Sequence, residues 1–268
     1  MDSLMRHVLA ATQLRLPGHY LPLWLAAEPV GYVAPATAAI LPAAGAEAGK
    51  AGISLRNADG VARAESALAQ AGLFRPRGEA FDVRATPEGP VLARIDRGAL
   101  PCLGIAAAGV HVNGLVQTAG GWCLWVARRA ASKALDAGKL DHLVAGGICA
   151  GMDPASTLIK EAGEEAGIAP EIARRAACKS IISYAMERPE GLRRDRLYCY
   201  DLILPEDFTP APQDGEVESF TLMALEDVLA RVRATDDFKF NVNLVLIDLF
   251  ARHGLIERPK GLPVAAAP

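Results

Sequence analysis

The chain has 268 residues, 51% of them hydrophobic and 22% charged, with 28 Lys and Arg against 31 Asp and Glu. That apolar share suffices for a packed core and excludes a disordered or solvating segment as the main character of the chain. A formal net charge of −3, with no long basic stripe, points away from general nucleic-acid binding.

Residues 1–16 carry Arg6, His7 and Arg15 and lack the apolar centre of a signal peptide. The Ala-rich stretch 21–46 is broken by Pro22, Pro29, Pro35, Pro42 and Glu28, so it does not read as a membrane span. Five widely spaced cysteines without a CxxC pair suit reduced thiols, and the expected compartment is the cytoplasm. Helical spacing over 62–71 closes at Gly72, and 81–85 alternates like a half-buried strand.

Between Asp96 and Gly109 the chain changes from small-residue-rich to clearly segmented. The expected division is a smaller α+β domain over 1–104 and a second domain over 105–268. In the second part, strands are predicted over 109–116, 122–128, 180–187, 196–204 and 217–222. Helices are predicted over 154–166, 226–233 and 241–253. Asp153 and Pro154 supply a cap and a first helical position, and Gly167 a stop. The order lacks strict βαβ alternation, so the fold class is an α/β/α sandwich around a mixed sheet.

On the helix 154–166, Glu161, Glu164 and Glu165 stand at i, i+3 and i+4 and project from one face. Like charges there repel one another, and the C-terminal end of the helix dipole disfavours them further. A hard cation such as Mg²⁺ would neutralise the group and bridge to substrate phosphates. Three such glutamates alone more often describe a solvated acidic face. A glycine-rich loop from Gly146 and Gly147, the cap, and the spacing of Lys160-Glu161 to Glu164-Glu165-Ala166-Gly167-Ile168 favour a site.

These residues resemble the Nudix box. Gly146 takes the opening glycine, Glu161 the glutamate after the arginine position, Glu164 and Glu165 the glutamate pair, and Gly167 and Ile168 the close. Met152 stands where the first glutamate is usual and Lys160 where arginine is usual, and those two positions normally pair with each other. The segments 109–113, 125–129, 140–147, 214–220 and 238–241 further resemble the Nudix portion of fungal thiamin pyrophosphokinase fusions, whose members carry an extra N-terminal domain of this size.

The resemblance implies a diphosphatase using Mg²⁺ (or Mn²⁺) on a small-molecule diphosphate, with damaged thiamin diphosphates (oxo and oxy forms) as a substrate class. It implies Glu161, Glu164 and Glu165 as catalytic metal ligands. Glu216 and Glu218, two apart on a predicted strand and so on one face, would supply a further metal ligand and a proton acceptor. Glu187 is another candidate carboxylate. Arg128, Arg129 and Lys133 suit the diphosphate, and Gly146, Gly147, Lys239 and Asn241 are candidate substrate contacts.

The N-terminal domain is expected to shape the substrate or form a homodimer contact. The five histidines show no ligand spacing, and Cys149 has no adjacent base. Two rival readings remain: an isopentenyl-diphosphate-isomerase-like enzyme using His111 and Cys149, and a non-catalytic diphosphate-binding module.

Overall fold

The computed structural model describes residues 3–133 and 135–267. The N-terminal part runs α1 (Met5–Thr12), β1 (Leu21–Leu25), β2 (Glu28–Val33), α2 (Pro35–Ala38), β3 (Glu47–Gly49), β4 (Gly52–Leu55), α3 (Ala58–Gln70), β5 (Ala80–Val83), β6 (Ala93–Asp96) and α4 (Leu100–Leu103). The remainder runs β7 (Ala106–Thr118), β8 (Gly121–Arg129), β9 (Leu140–Asp141), β10 (Val144–Gly147), α5 (Pro154–Ala166), α6 (Pro170–Ala173), β11 (Ala177–Arg188), β12 (Gly191–Leu204), β13 (Val217–Ala224), α7 (Leu225–Ala234), α8 (Val242–Arg252) and β14 (Val264–Ala266).

The large sheet has the order β13-β8-β7-β12-β11-β14, with β10 on β7 and β9 on β8. It is mixed: β12 runs parallel to β7, while the other pairings are antiparallel. Alternation along β7 sends Val110, Val112 and Val116 to one side, against Leu158, Ala162 and Ala166 of α5. Leu115 goes to the other side and joins α7 and α8, whose Val242–Phe250 stretch is buried throughout. Helices therefore cover both faces, as expected for the sandwich.

The N-terminal part adds a four-stranded sheet, β2-β1-β4-β3, and the β5–β6 hairpin. Both pack with α3 around Leu23, Ile53, Val61, Leu68, Phe81, Ile95 and Leu103. Asn57 caps α3 by accepting from the Gly60 N–H at 3.1 Å, which starts the helix four residues earlier than its apolar spacing suggests. Gly104, in the left-handed region at φ 54°, makes the joint to β7, where a Cβ would strike the Tyr32 carbonyl.

α1 packs apart from the rest of the N-terminal part. Leu4, Val8 and Ala11 are buried in the core beneath the large sheet. Arg6 donates to the carbonyls of Val232 (3.0 Å), Arg233 (2.7 Å) and Thr235 (2.6 Å), around the C-terminal end of α7. Carbonyls at a helix C-terminus lack intrahelical partners, and a guanidinium with five donors serves them. The first helix of the chain thus packs with its last ones. Among the described residues, no helix is long and apolar enough to cross a membrane.

Candidate active site

α5 begins and ends where its punctuation requires. Asp153 accepts from the Ser156 N–H at 2.8 Å, Pro154 opens the first turn, and Gly167 closes the helix at φ 65°. The helix lies against β10, and Glu161 passes so close to Gly146 that a Cβ there would collide with its side-chain carbons. Only glycine leaves that space. Glu165 is 7% exposed, and its Oε2 accepts the Ala145 N–H at 2.8 Å. Burial pushes its carboxyl up to about 8; the Ala145 bond opposes this, and the charges of Asp141, Glu161 and Glu216 add to it. Glu161 is half-buried and raised for the same first reason. Glu164 is exposed. Met152 offers no carboxylate, and Lys160 turns to the box itself, reaching Glu161 at 3.1 Å and Glu164 at 2.5 Å.

The other expected residues divide. Glu216 lies within electrostatic reach of Glu161 and Glu165 and forms an ion pair with Lys133. Partial burial would raise its pKa, but Lys133 outweighs this and keeps it lowered. Glu218 does not share its face. Glu216 precedes β13, and the register shifts between Val217 and Ser219, so a bulge breaks the alternation on which the pairing relied. Glu218 is exposed and makes no hydrogen bond or ion pair among the described residues. Arg128 is exposed and donates to the Gly138 carbonyl at 2.9 Å. Arg129 is turned inward, pairing with Asp141 at 2.8 Å and holding the carbonyls of Leu135 and Asp136. Glu187 accepts from the Tyr20 hydroxyl at 3.0 Å.

Two groups were not anticipated. His111 and His142, 31 positions apart, meet with their Nδ1 atoms at 2.9 Å, both buried beside Asp141. Within the described residues these three form a group whose ligand atoms lie within 4.8 Å of one another. Asp141, however, is already matched by Arg129 and by Lys239 at 3.3 Å. Burial would raise its pKa, yet Lys239, His111 and Arg129 hold it well below the usual carboxylate range. A divalent cation suits such a group poorly. It suits Glu165, a buried carboxylate among other carboxylates with no cation paired to it among the described residues, far better.

The second unanticipated group is a set of arginines. A cavity of about 800 Å³, counting its open mouth, runs from the Gly146–Gly147 strand over His111 to the N-terminal part. Phe81, Leu100, Ile105 and Leu197 give it an apolar wall; Arg77, Arg97, Arg193, Arg194 and Lys239 give it a cationic one. Asn241 also lines it, 4% exposed and with an Oδ1 that has no hydrogen-bond partner among the described residues. Cys149 sits nearby, but burial and the charges of Glu79 and Glu161 push its thiol up, away from a reactive thiolate.

The fold and the box together define a class. A family model for the NUDIX domain matches residues 107–243, just over half of the chain, and the chain belongs to the Nudix family. It is 45% identical over 184 residues to a protein of Arabidopsis thaliana named Nudix hydrolase 20, chloroplastic, covering 69% of this chain and 49% of that one. Nudix hydrolase 24, chloroplastic, of the same plant is 44% identical over 184 residues, with 69% and 50% covered. The chain thus spans about half the length of these relatives. Among solved structures, DR0079 from Deinococcus radiodurans is 22% identical and matches 63% of this chain and 97% of that one, at a TM-score of 0.46.

Proposed function

We propose that the chain is a divalent-metal-dependent diphosphatase that cleaves a diphosphate linkage in a small organic molecule. The observation that carries this reading is Glu165, a carboxylate whose burial raises it to about 8, with the charges of Asp141, Glu161 and Glu216 adding to the rise and no cation paired to it among the described residues. Glu161, Glu164 and Glu165 would hold Mg²⁺, or Mn²⁺ in its place. Such an ion, when bound, neutralises diphosphate charge and acidifies a bound water.

The chain's own residues do the rest. Gly146 leaves room for Glu161, and the Ala145 N–H fixes the Glu165 carboxylate. A carboxylate of the cluster takes the proton of the attacking water, and Glu216 is better placed for this than Glu218. The cationic wall of the cavity holds the phosphate charge, while the apolar wall takes the organic group.

Within that class, the resemblance to the Nudix portion of fungal thiamin pyrophosphokinase fusions favours oxo and oxy forms of thiamin diphosphate, converted to monophosphates. The test is hydrolysis with and without Mg²⁺, read as phosphate released from these analogues and as the two phosphorylated products formed from ADP-ribose, nucleoside diphosphate sugars and dinucleotide polyphosphates. The expected result is metal-dependent turnover, with preference for the thiamin analogues. Full activity in both Glu164→Gln and Glu165→Gln would remove the metal site. Tight binding without turnover across the panel would instead favour a binding module.

A further inference from the structure

Asp96, the last residue of β6, is bonded unlike an ordinary strand-end carboxylate. It accepts the backbone N–H groups of Arg77 (2.9 Å), Gly78 (2.8 Å) and Gly98 (2.7 Å). Its own N–H is taken by Glu65 at 2.9 Å. Three donors on one carboxylate tie the chain at 77–78 to the chain at 97–98. Arg77 and Arg97, one on each side of this knot, both line the cavity.

Arg97 is fixed in place. It pairs with Glu79 at 2.8 Å and lies over the Phe81 ring at 5.7 Å. That ring rests on Gly147, where a Cβ would come within 2.6 Å of Phe81 Cζ and 3.6 Å of Arg97 Cζ. β5 is itself bonded to the loop entering α5, with the Ala150 N–H on the Ala80 carbonyl at 2.8 Å. Arg97 therefore stands beside the box glycines, within electrostatic reach of Glu216.

The Arg77 guanidinium has neither hydrogen bond nor ion pair among the described residues, and it feels the charges of Arg97 and Arg193, opposed by those of Glu79 and Asp96. Its pKa is lowered by burial first and by Arg97 next. Guanidinium groups gathered along one cavity repel one another, and a phosphate relieves that repulsion through bidentate bonds.

We propose that Arg77 and Arg97, set side by side by Asp96, bind a phosphate group of the substrate next to Gly147. The N-terminal part then supplies the phosphate-binding half of a site whose metal-binding half is α5. This rests on the diphosphatase reading for the identity of the anion. It assigns the site to substrates whose phosphate is fully charged and reaches the Gly147 edge of the cavity.

The test uses the full chain and inorganic diphosphate with divalent metal removed by chelation, followed by titration calorimetry. The unaltered chain binds diphosphate, and Arg77→Ala weakens binding roughly ten- to hundred-fold, the range of a charge-assisted pair. Arg77→Lys restores part of the loss, because an ammonium lacks the fork. Arg174→Ala, which removes the same charge from the exposed end of α6, leaves binding unchanged. With Mg²⁺ and an organic diphosphate, Arg77→Ala raises KM more than it lowers kcat. Equal binding by the unaltered chain and Arg77→Ala, or no binding by the unaltered chain, overturns the proposal. Arg77-dependent binding without hydrolysis of any diphosphate leaves the phosphate site standing and removes the diphosphatase reading.

Discussion

Two charged walls flank the Gly146–Gly147 strand, Glu161 of α5 against Gly146 and Arg97 against Gly147, and they are built by opposite means. The acidic wall is a regular helix, capped by Asp153 and stopped by Gly167, whose glutamates fall on one face by periodicity alone. The basic wall has no such regularity. Arg77 and Arg97 come from irregular chain on either side of a short hairpin, and one carboxylate, Asp96, brings them together. A periodic element places charge by counting residues. An irregular one places it through a specific long-range bond, and it fails if that bond is removed.

The sharpest break in this comparison is on the acidic side. Glu165→Gln keeps the shape and the bond from the Ala145 N–H, yet removes the buried charge that a cation requires. Turnover falls on the order of a thousandfold, about 4 kcal/mol of transition-state stabilisation. The thermal midpoint stays level or rises, because an uncompensated buried carboxylate is gone. Steady-state kinetics and calorimetric melting check both halves. Turnover within a few-fold of the unaltered chain would place the metal elsewhere.

Next in size is the test of where α1 belongs. Leu4 is fully buried against the large sheet, so Leu4→Ala costs roughly 3 to 4 kcal/mol as a core truncation. Hydrogen exchange should speed up in β11 and α8 while β1 and β4 keep their protection. Loss confined to β1 and β4 would return α1 to the N-terminal part.

How much of this was legible in the sequence follows the same contrast. The span of α5, residue for residue, and the long strands β7, β8, β11 and β12 follow from apolar alternation and glycine punctuation. The short strands β1 to β4 do not, because three to six residues give a period too few repeats. α1 was missed for another reason: its packing surface is 100 residues and more away, and nothing local marks it. Of the candidate site, Gly146, Glu161, Glu164 and Glu165 are candidates from box spacing, and Glu216 from its place beside a predicted strand. Arg129, a candidate substrate contact by sequence, is bound to Asp141, and its neighbour Arg128, on the opposite face of the strand, is turned to a loop carbonyl. The meeting of His111 with His142 and of Arg77 with Arg97 arises from strand pairing and from Asp96. Neither is a spacing that a single sequence displays.

The buried histidine pair gives the basic side of the cavity floor its own test. Burial holds the His142 pKa at about 4, against an ordinary 6.5, with Lys239 helping and Asp141 opposing. The folded state therefore prefers the neutral ring. Its contribution is fully present above pH 6.5 and is lost as pH falls toward 4. Between pH 7 and pH 4.5 this amounts to roughly 2 to 3 kcal/mol of stability. Urea unfolding across that window reads it directly, and His142→Gln should flatten the slope. An unchanged slope would assign the acid sensitivity to other groups.

The smallest expected effect concerns the one cation built into the acidic wall. Lys160 has no glutamate at position 152 to hold it, so its ammonium lies between Glu161 and Glu164, where it competes with a metal ion. The pair is largely exposed, so the interaction is worth no more than about 1 kcal/mol. Lys160→Gln should accordingly lower the Mg²⁺ concentration for half-maximal turnover by about two- to five-fold. A Lys160→Gln, Met152→Glu double variant should not reverse that gain, since the new carboxylate finds no cation at position 160. A rise in the Mg²⁺ requirement of Lys160→Gln would show that the ammonium orients the glutamates rather than occupying their place. The comparison between the walls would then change, because the helix too would depend on one specific ion pair to aim its charge.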